Sequence, residues 1–139
     1  MDIKFEQVFN VIVLMACGLL FFTSSLSLGV VLKDMNAVTS SSGTIELVLV
    51  FDGDAPDAKG YTIEQPPRVS IDLLGTVSAL PKYTELGFDT AQSVTLLQAG
   101  DRTRLVVNQR SPTSFSSRNA GNTLYITLGG SSPVINAKT

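Results

Sequence analysis

Past residue 30 the apolar side chains recur at every second position, not every third or fourth. In Thr44–Asp52, Ile45, Leu47, Leu49 and Phe51 share a face. In Arg68–Leu74, Val69, Ile71 and Leu73 alternate with Arg68, Ser70 and Asp72. In Arg102–Gln109, Leu105 and Val107 oppose Arg102, Arg104 and Asn108, and in Asn122–Leu128, Leu124, Ile126 and Leu128 alternate with Thr123, Tyr125 and Thr127. A period of two is the mark of a strand buried on one side, and one dry face with one wet face is the antiparallel pattern. The turn residues agree. Ser40-Ser41-Ser42-Gly43 precedes one run and Asp52-Gly53-Asp54-Ala55-Pro56 closes it. Ala99-Gly100-Asp101 and Asn119-Ala120-Gly121-Asn122 each join two runs as a hairpin. Gln65-Pro66-Pro67 interrupts pairing before Arg68, since proline has no N–H for a ladder. Short strands at this spacing predict an all-β fold, a β-sandwich of two small antiparallel sheets.

The strands fall into two sets of four. Val31–Val38, Thr44–Asp52, Lys59–Glu64 and Arg68–Leu74 make the first, and Ala91–Gln98, Arg102–Gln109, Ser114–Arg118 and Asn122–Leu128 the second. Each set ends on the same device, an aromatic, a turn, a strand, then Leu-Gly: Tyr61 to Leu74-Gly75 and Phe115 to Leu128-Gly129. This weak internal repeat predicts two similar sheets packed face to face. Thr76–Asp89 becomes the crossover, with room for a short extra strand or turn around Lys82–Phe88.

The start of the chain reads differently. Val11 to Phe22 is an unbroken run of apolar and small residues, too short to span a bilayer comfortably and of the right length for a secretory core. Small residues follow at Thr23, Ser24, Ser25, Ser27 and Gly29. Residues 1–29 are therefore expected to be an apolar signal segment, with an uncleaved anchor as the alternative. Leu14-Met15-Ala16-Cys17-Gly18 has the shape of a lipoprotein cleavage box, but the apolar run continues beyond the cysteine. Residues 30–130 are then the folded domain. Gly129-Gly130-Ser131-Ser132-Pro133 opens a linker, and residues 131–139 are read as leading to a further region of a longer natural protein.

Composition narrows the chemistry. Of 139 residues, 10 are basic and 12 acidic; setting aside Lys4, Asp2 and Glu6 in the leader leaves 9 against 10. A domain this neutral has no general attraction for nucleic acid. The single cysteine, Cys17, lies in the leader, so the folded part has neither disulfide nor thiol chemistry. There is no histidine, which excludes the common zinc sites and Ser-His or Cys-His catalysis. Asp52, Asp54 and Asp57 crowd one loop, yet an EF-hand needs Gly at its sixth position and Glu at its twelfth, and here those are Asp57 and Ile63. A solvated turn is the simpler account. No carboxylate pair stands out for acid–base work, and the hydroxyls of Thr113–Ser117 have no base beside them. The chain is expected to be non-enzymatic, with no metal and no cofactor.

What remains is a surface. Arg68, Ser70 and Asp72 lie at i, i+2 and i+4 of one strand and so share its outer side. Cross-strand pairing and solubility account for such a stripe. So does a polar ligand site, with Arg68 as a donor fork and Asp72 as an acceptor for sugar hydroxyls or peptide amides. Arg102 and Arg104 extend it if their strand lies alongside. Tyr61 and Tyr125 are candidates for stacking on a sugar ring, although packing is the commoner fate of a strand tyrosine.

The segment Gly60-Tyr61-Thr62-Ile63-Glu64-Gln65-Pro66-Pro67-Arg68-Val69-Ser70-Ile71-Asp72-Leu73-Leu74-Gly75 resembles the central motif of the AMIN domain, and more closely that of AMIN domains at the N-terminus of type IV pilus secretins. Leu49–Pro56, Lys82–Gly87, Arg102–Asn108 and Gly121–Tyr125 support the likeness in order along the chain. The resemblance implies a β-sandwich in the periplasm that binds peptidoglycan, associated with the cell wall and outer membrane through a full-length secretin. It implies other type IV pilus assembly proteins as partners and a homo-oligomeric ring for the whole protein. It marks the positions of Arg68, Asp72 and Arg104 as candidate peptidoglycan-binding residues; Tyr61 joins them as a candidate for its stacking ring alone. Two other functions fit a sandwich of this kind: docking of other pilus or secretion components, and cell-wall targeting of an amidase whose zinc domain lies elsewhere.

Overall fold

The computed structural model describes residues 29–130, and among these every regular element is a strand. The proposed leader, with Cys17, and the linker from residue 131 lie outside the described residues. Ten strands run in order: β1 (Val30–Thr39), β2 (Ile45–Phe51), β3 (Ala58–Glu64), β4 (Pro67–Leu74), β5 (Thr76–Ser78), β6 (Tyr83–Glu85), β7 (Ser93–Ala99), β8 (Arg102–Asn108), β9 (Phe115–Ala120) and β10 (Thr123–Leu128). They form two five-stranded sheets, β5-β1-β2-β10-β9 and β3-β4-β8-β7-β6.

The alternation read from the sequence is the core. Ile45, Leu47, Leu49 and Phe51 of β2, with Leu124, Ile126 and Leu128 of β10, supply the inner face of the first sheet. Val69, Ile71 and Leu73 of β4, with Leu105 and Val107 of β8 and Val94 and Leu96 of β7, supply that of the second. All are buried, and together with Leu32 and Ala91 they make one cluster. The four central strands carry most of this cluster, and that fixes register: a one-residue slip of β2 would expose its whole apolar set.

Sheet membership departs from the expectation. The two sets of four strands do not each make a sheet. The β1–β2 hairpin of the first half pairs, through β2, with the β9–β10 hairpin of the second. The β3–β4 hairpin pairs, through β4, with β7–β8. Each layer takes one hairpin from each half, and superposing the halves in sequence order exchanges the layers. The strand orders of the two halves are therefore related by a two-fold exchange, but the aromatics that suggested the repeat do not match: Tyr61 on β3 lies on the outer face opposite Ser70, and Phe115 on β9 points inward opposite Leu128.

Two smaller differences concern the ends of elements. The crossover contributes an edge strand to each sheet: β6, within the anticipated segment, and β5, which pairs parallel to the start of β1 in an otherwise antiparallel layer. Pro67 does not lie before its strand but opens it, opposite Glu64 across a tight hairpin closed by a cis Gln65–Pro66 peptide.

At the open side of the sandwich the edge strands β3 and β9 face each other. Gly60 makes this possible, because a Cβ there would lie 2.7 Å from Phe115 Cζ and 2.9 Å from Ile71 Cγ1. The Phe115 ring, brought from the other sheet, uses the space a side chain would fill. Gly60→Ala is expected to cost about 1–3 kcal/mol by overpacking, seen as a lower urea midpoint at unchanged slope. A midpoint equal to that of the parent would show that the ring moves aside freely.

Candidate functional site

The outer face of the second sheet collects the four residues singled out by the sequence. On β4, Arg68, Ser70 and Asp72 point away from the core. Antiparallel register sets Arg104 opposite Asp72 and Asn108 opposite Arg68 on β8, while Tyr61 on β3 stands opposite Ser70. Arg68, Asp72, Arg104 and Tyr61 thus share one side of three adjacent strands.

Within this group Asp72 is held firmly. Arg104 donates two hydrogen bonds to it, Nε to Oδ1 at 2.8 Å and Nη2 to Oδ2 at 3.1 Å. Arg102 Nη1 lies 3.7 Å from Oδ2. A two-pronged guanidinium–carboxylate pair of this kind fixes orientation as well as charge. The hydrogen bond from Arg104 holds the Asp72 carboxyl below its ordinary value of 3.8, against the opposing pull of partial burial; the Arg102 charge adds to the lowering. Asp72 in return strengthens the proton affinity of Arg104. Ser70, one position along the stripe, is only 3% exposed, its short side chain set between Tyr61 and Val106 in the register.

Arg68 stands apart. Among the described residues no carboxylate comes within ion-pair range of it, and its Nε is buried without an acceptor. Buried polar atoms are nearly always paired; this buried nitrogen is out of a ligand's reach, and what Arg68 can offer a partner lies in the outer end of its half-buried guanidinium. Tyr61, on the edge strand, is 52% exposed, so most of its ring is open to solvent. Lys59, Arg68, Arg102 and Arg104 here face Asp72, Asp101, which lies 3.7 Å from Arg102, and, on β6, Glu85, so the face carries a small excess of cations although the chain has a net charge of −2.

The remaining candidates lie elsewhere. Tyr125 is on the outer face of the other sheet, where the Arg118 guanidinium stacks 3.8 Å from its ring centroid and also approaches Glu46 at 3.6 Å. It does not join Tyr61. Asp52 accepts a hydrogen bond from the Val31 N–H at 2.7 Å, tying the end of β2 to the start of β1. Thr113 Oγ1 is engaged by Gln109 Nε2. Sequence reasoning missed Lys59 and Tyr83 as parts of the face. Tyr83 is 58% exposed on β6, and only its alternation with Lys82 and Thr84 hinted at a strand.

Two packed antiparallel layers, with an Arg–Asp fork on the outer side beside the Gly60–Gly75 hairpin, make a β-sandwich of the kind the AMIN resemblance implies. The chain matches the AMIN domain over residues 34–128 and belongs to that family. It is PilQ-like: 38% identical over 101 residues to the fimbrial assembly protein PilQ of Pseudomonas aeruginosa, a match that covers 72% of this chain and 14% of that protein. The chain therefore corresponds to a small part of the length of that relative.

Proposed function

We propose that this chain is the non-catalytic, peptidoglycan-binding module of a type IV pilus secretin, acting in the periplasm to hold and position the secretin at the cell wall. The observation that carries the reading is the outer face of the second sheet, with its small excess of cations, where Asp72 locks Arg104 in place and Arg68 has no carboxylate partner among the described residues. Peptidoglycan presents carboxylates, amides and hydroxyls. A fixed guanidinium with free N–H groups suits the first of these, and an exposed tyrosine ring suits a sugar face. Asp72 serves here mainly to orient Arg104. The likeness to a fimbrial assembly protein favours this reading over targeting of an amidase. In a ring of copies, contacts that are individually modest add up through effective concentration, and other pilus assembly proteins would meet the module in that setting.

Purified sacculi are expected to retain the chain at moderate salt. Arg68→Ala should lower retention about tenfold, the scale of one hydrogen bond to a charged group, with the thermal midpoint unchanged. Absence of retention by the unaltered chain overturns the proposal. Retention of envelope proteins in place of glycan would point to protein docking.

A further inference from the structure

The two sides of the sandwich end differently. One side is closed by β5 and β6, strands of 3 residues each. The other ends in β9, of 6 residues, and in β3, of 7. Very short edge strands are a usual guard against pairing with other chains. β3 lacks that guard, and its register with β4 runs unbroken from Ala58 to Glu64, with no bulge and no proline in the strand. β9 is guarded in another way. Asn119 Nδ2 donates to the carbonyls of Ala55 and Pro56 at 3.2 and 3.0 Å, so the link that enters β3 lies against the far end of β9.

The backbone of β3 has a definite orientation. The Gln109 N–H donates to the Pro67 carbonyl at 3.0 Å, which turns Pro67 toward β8. Antiparallel ladders alternate, so Val69, Ile71 and Leu73 also address β8, while Arg68, Ser70 and Asp72 address β3. Their partners there are Ile63, Tyr61 and Lys59. The N–H and C=O groups of Ala58, Gly60, Thr62 and Glu64 therefore point out of the sheet edge, where no described strand lies.

We propose that β3 pairs antiparallel with β3 of a second copy of this chain, about a two-fold axis through Tyr61. The outward set is symmetric about that residue. With Tyr61 opposite its counterpart, Ala58 meets Glu64 and Gly60 meets Thr62 of the second copy, so every outward backbone group finds a partner. Charge agrees, because Lys59 and Glu64 lie toward opposite ends of β3 and antiparallel pairing sets the cationic end of each strand beside the anionic end of the other. Space agrees as well. Phe115 sits over Gly60, and β9 runs from there toward Asn119 beside Pro56, over the Ala58 half of β3 only. The second copy's β9 falls on the other side of the axis, so the facing layers do not obstruct the joint. Pairing would merge the two second sheets into one, with both copies of the Asp72–Arg104 fork on a continuous outer face. The proposal does not depend on wall binding.

Sedimentation of the full chain over a range of concentrations tests it. The parent chain should pass from monomer to dimer. Thr62→Pro removes an N–H that the fold itself does not use, and should weaken dimerisation about tenfold or more, the scale of one lost hydrogen bond on each side of the axis. Thr62→Lys keeps that N–H and sets two cations about the axis, and should weaken it too. Both should keep the parent's urea midpoint. With Cys17→Ser, Tyr61→Cys should crosslink the dimer on mild oxidation, since non-hydrogen-bonded partners have Cα atoms about 4.5 Å apart, within disulfide reach. Tyr83→Cys, equally exposed on the short edge β6, should not. Association unchanged by both Thr62 substitutions, or crosslinking as fast at Tyr83 as at Tyr61, overturns the proposal. A monomer up to about 1 mM also overturns it and leaves the edge to an extended segment of a different protein.

Discussion

Leu105→Ala is expected to lower the unfolding free energy by about 2–5 kcal/mol. Leu105 is fully buried in β8, between Ile71 of β4 and Leu96 of β7 in the register. Its side chain points into the space between the layers, where Leu47, Leu49, Leu124 and Ile126 of the facing sheet are equally dry. Close-packed surroundings on both sides cannot collapse fully around the missing methyl groups, so a cavity term adds to the lost transfer energy. The neighbouring Val106 points the opposite way, onto the outer face. Val106→Thr should change stability by less than about 0.5 kcal/mol, as surface substitutions usually do. Urea unfolding of the pair checks both values. Equal costs at the two positions would mean that the register is not the one described.

Asp72→Asn is expected to cost about 1–2 kcal/mol near neutral pH. The substitution removes the anion that accepts both Arg104 hydrogen bonds and leaves Arg104 beside Arg102, whose remaining carboxylate neighbour is Asp101 at 3.7 Å. Hydrogen bonds to charged groups are worth about 1.5–3 kcal/mol, but the Arg104 side chain is 41% exposed and solvent screens the pair, which favours the lower end. The pH dependence carries a sign. The folded-state pKa of Asp72 is depressed below its ordinary value of 3.8, so its contribution is complete above that value and is lost as pH falls through the folded one. The stability gap between the parent chain and Asp72→Asn should therefore be full at neutral pH and close in acid, below about pH 4. A gap that persists unchanged in acid would mean that the cost lies in packing and not in the ion pair.

Much of this was written in the chain in plain form. Period two identified the strands and which side of each is dry, because a half-buried strand must alternate; Ile45, Leu47, Leu49 and Phe51 all face inward as read. Turn residues located the hairpins, because a turn's chemistry is local. What escaped was everything decided at a distance. Nothing in β2 says that it will pair with β10, 73 to 83 positions from its own residues in the register, so the exchange of hairpins between layers was out of reach. Strands of three residues, β5 and β6, are too short to display a period. The site shows the same limit. Arg68 and Asp72 share a face by spacing alone, but four residues of strand separate them by about 13 Å, too far to pair. The carboxylate's true partner, Arg104, lies 32 positions away, and only the β4–β8 register reveals it.

The crossed allocation of hairpins has a consequence for how the domain comes into being. Neither half owns a layer, so neither can bury its apolar side alone: residues 30–75 hold two hairpins whose dry faces look at each other with only half of each wall built. Completion needs the other half, and the connecting stretch from Thr76 to Thr90 acts as a leash that keeps it close. The module is in effect a tethered dimer of half-domains, whose cohesion depends on long-range closure and not on any piece that is stable by itself.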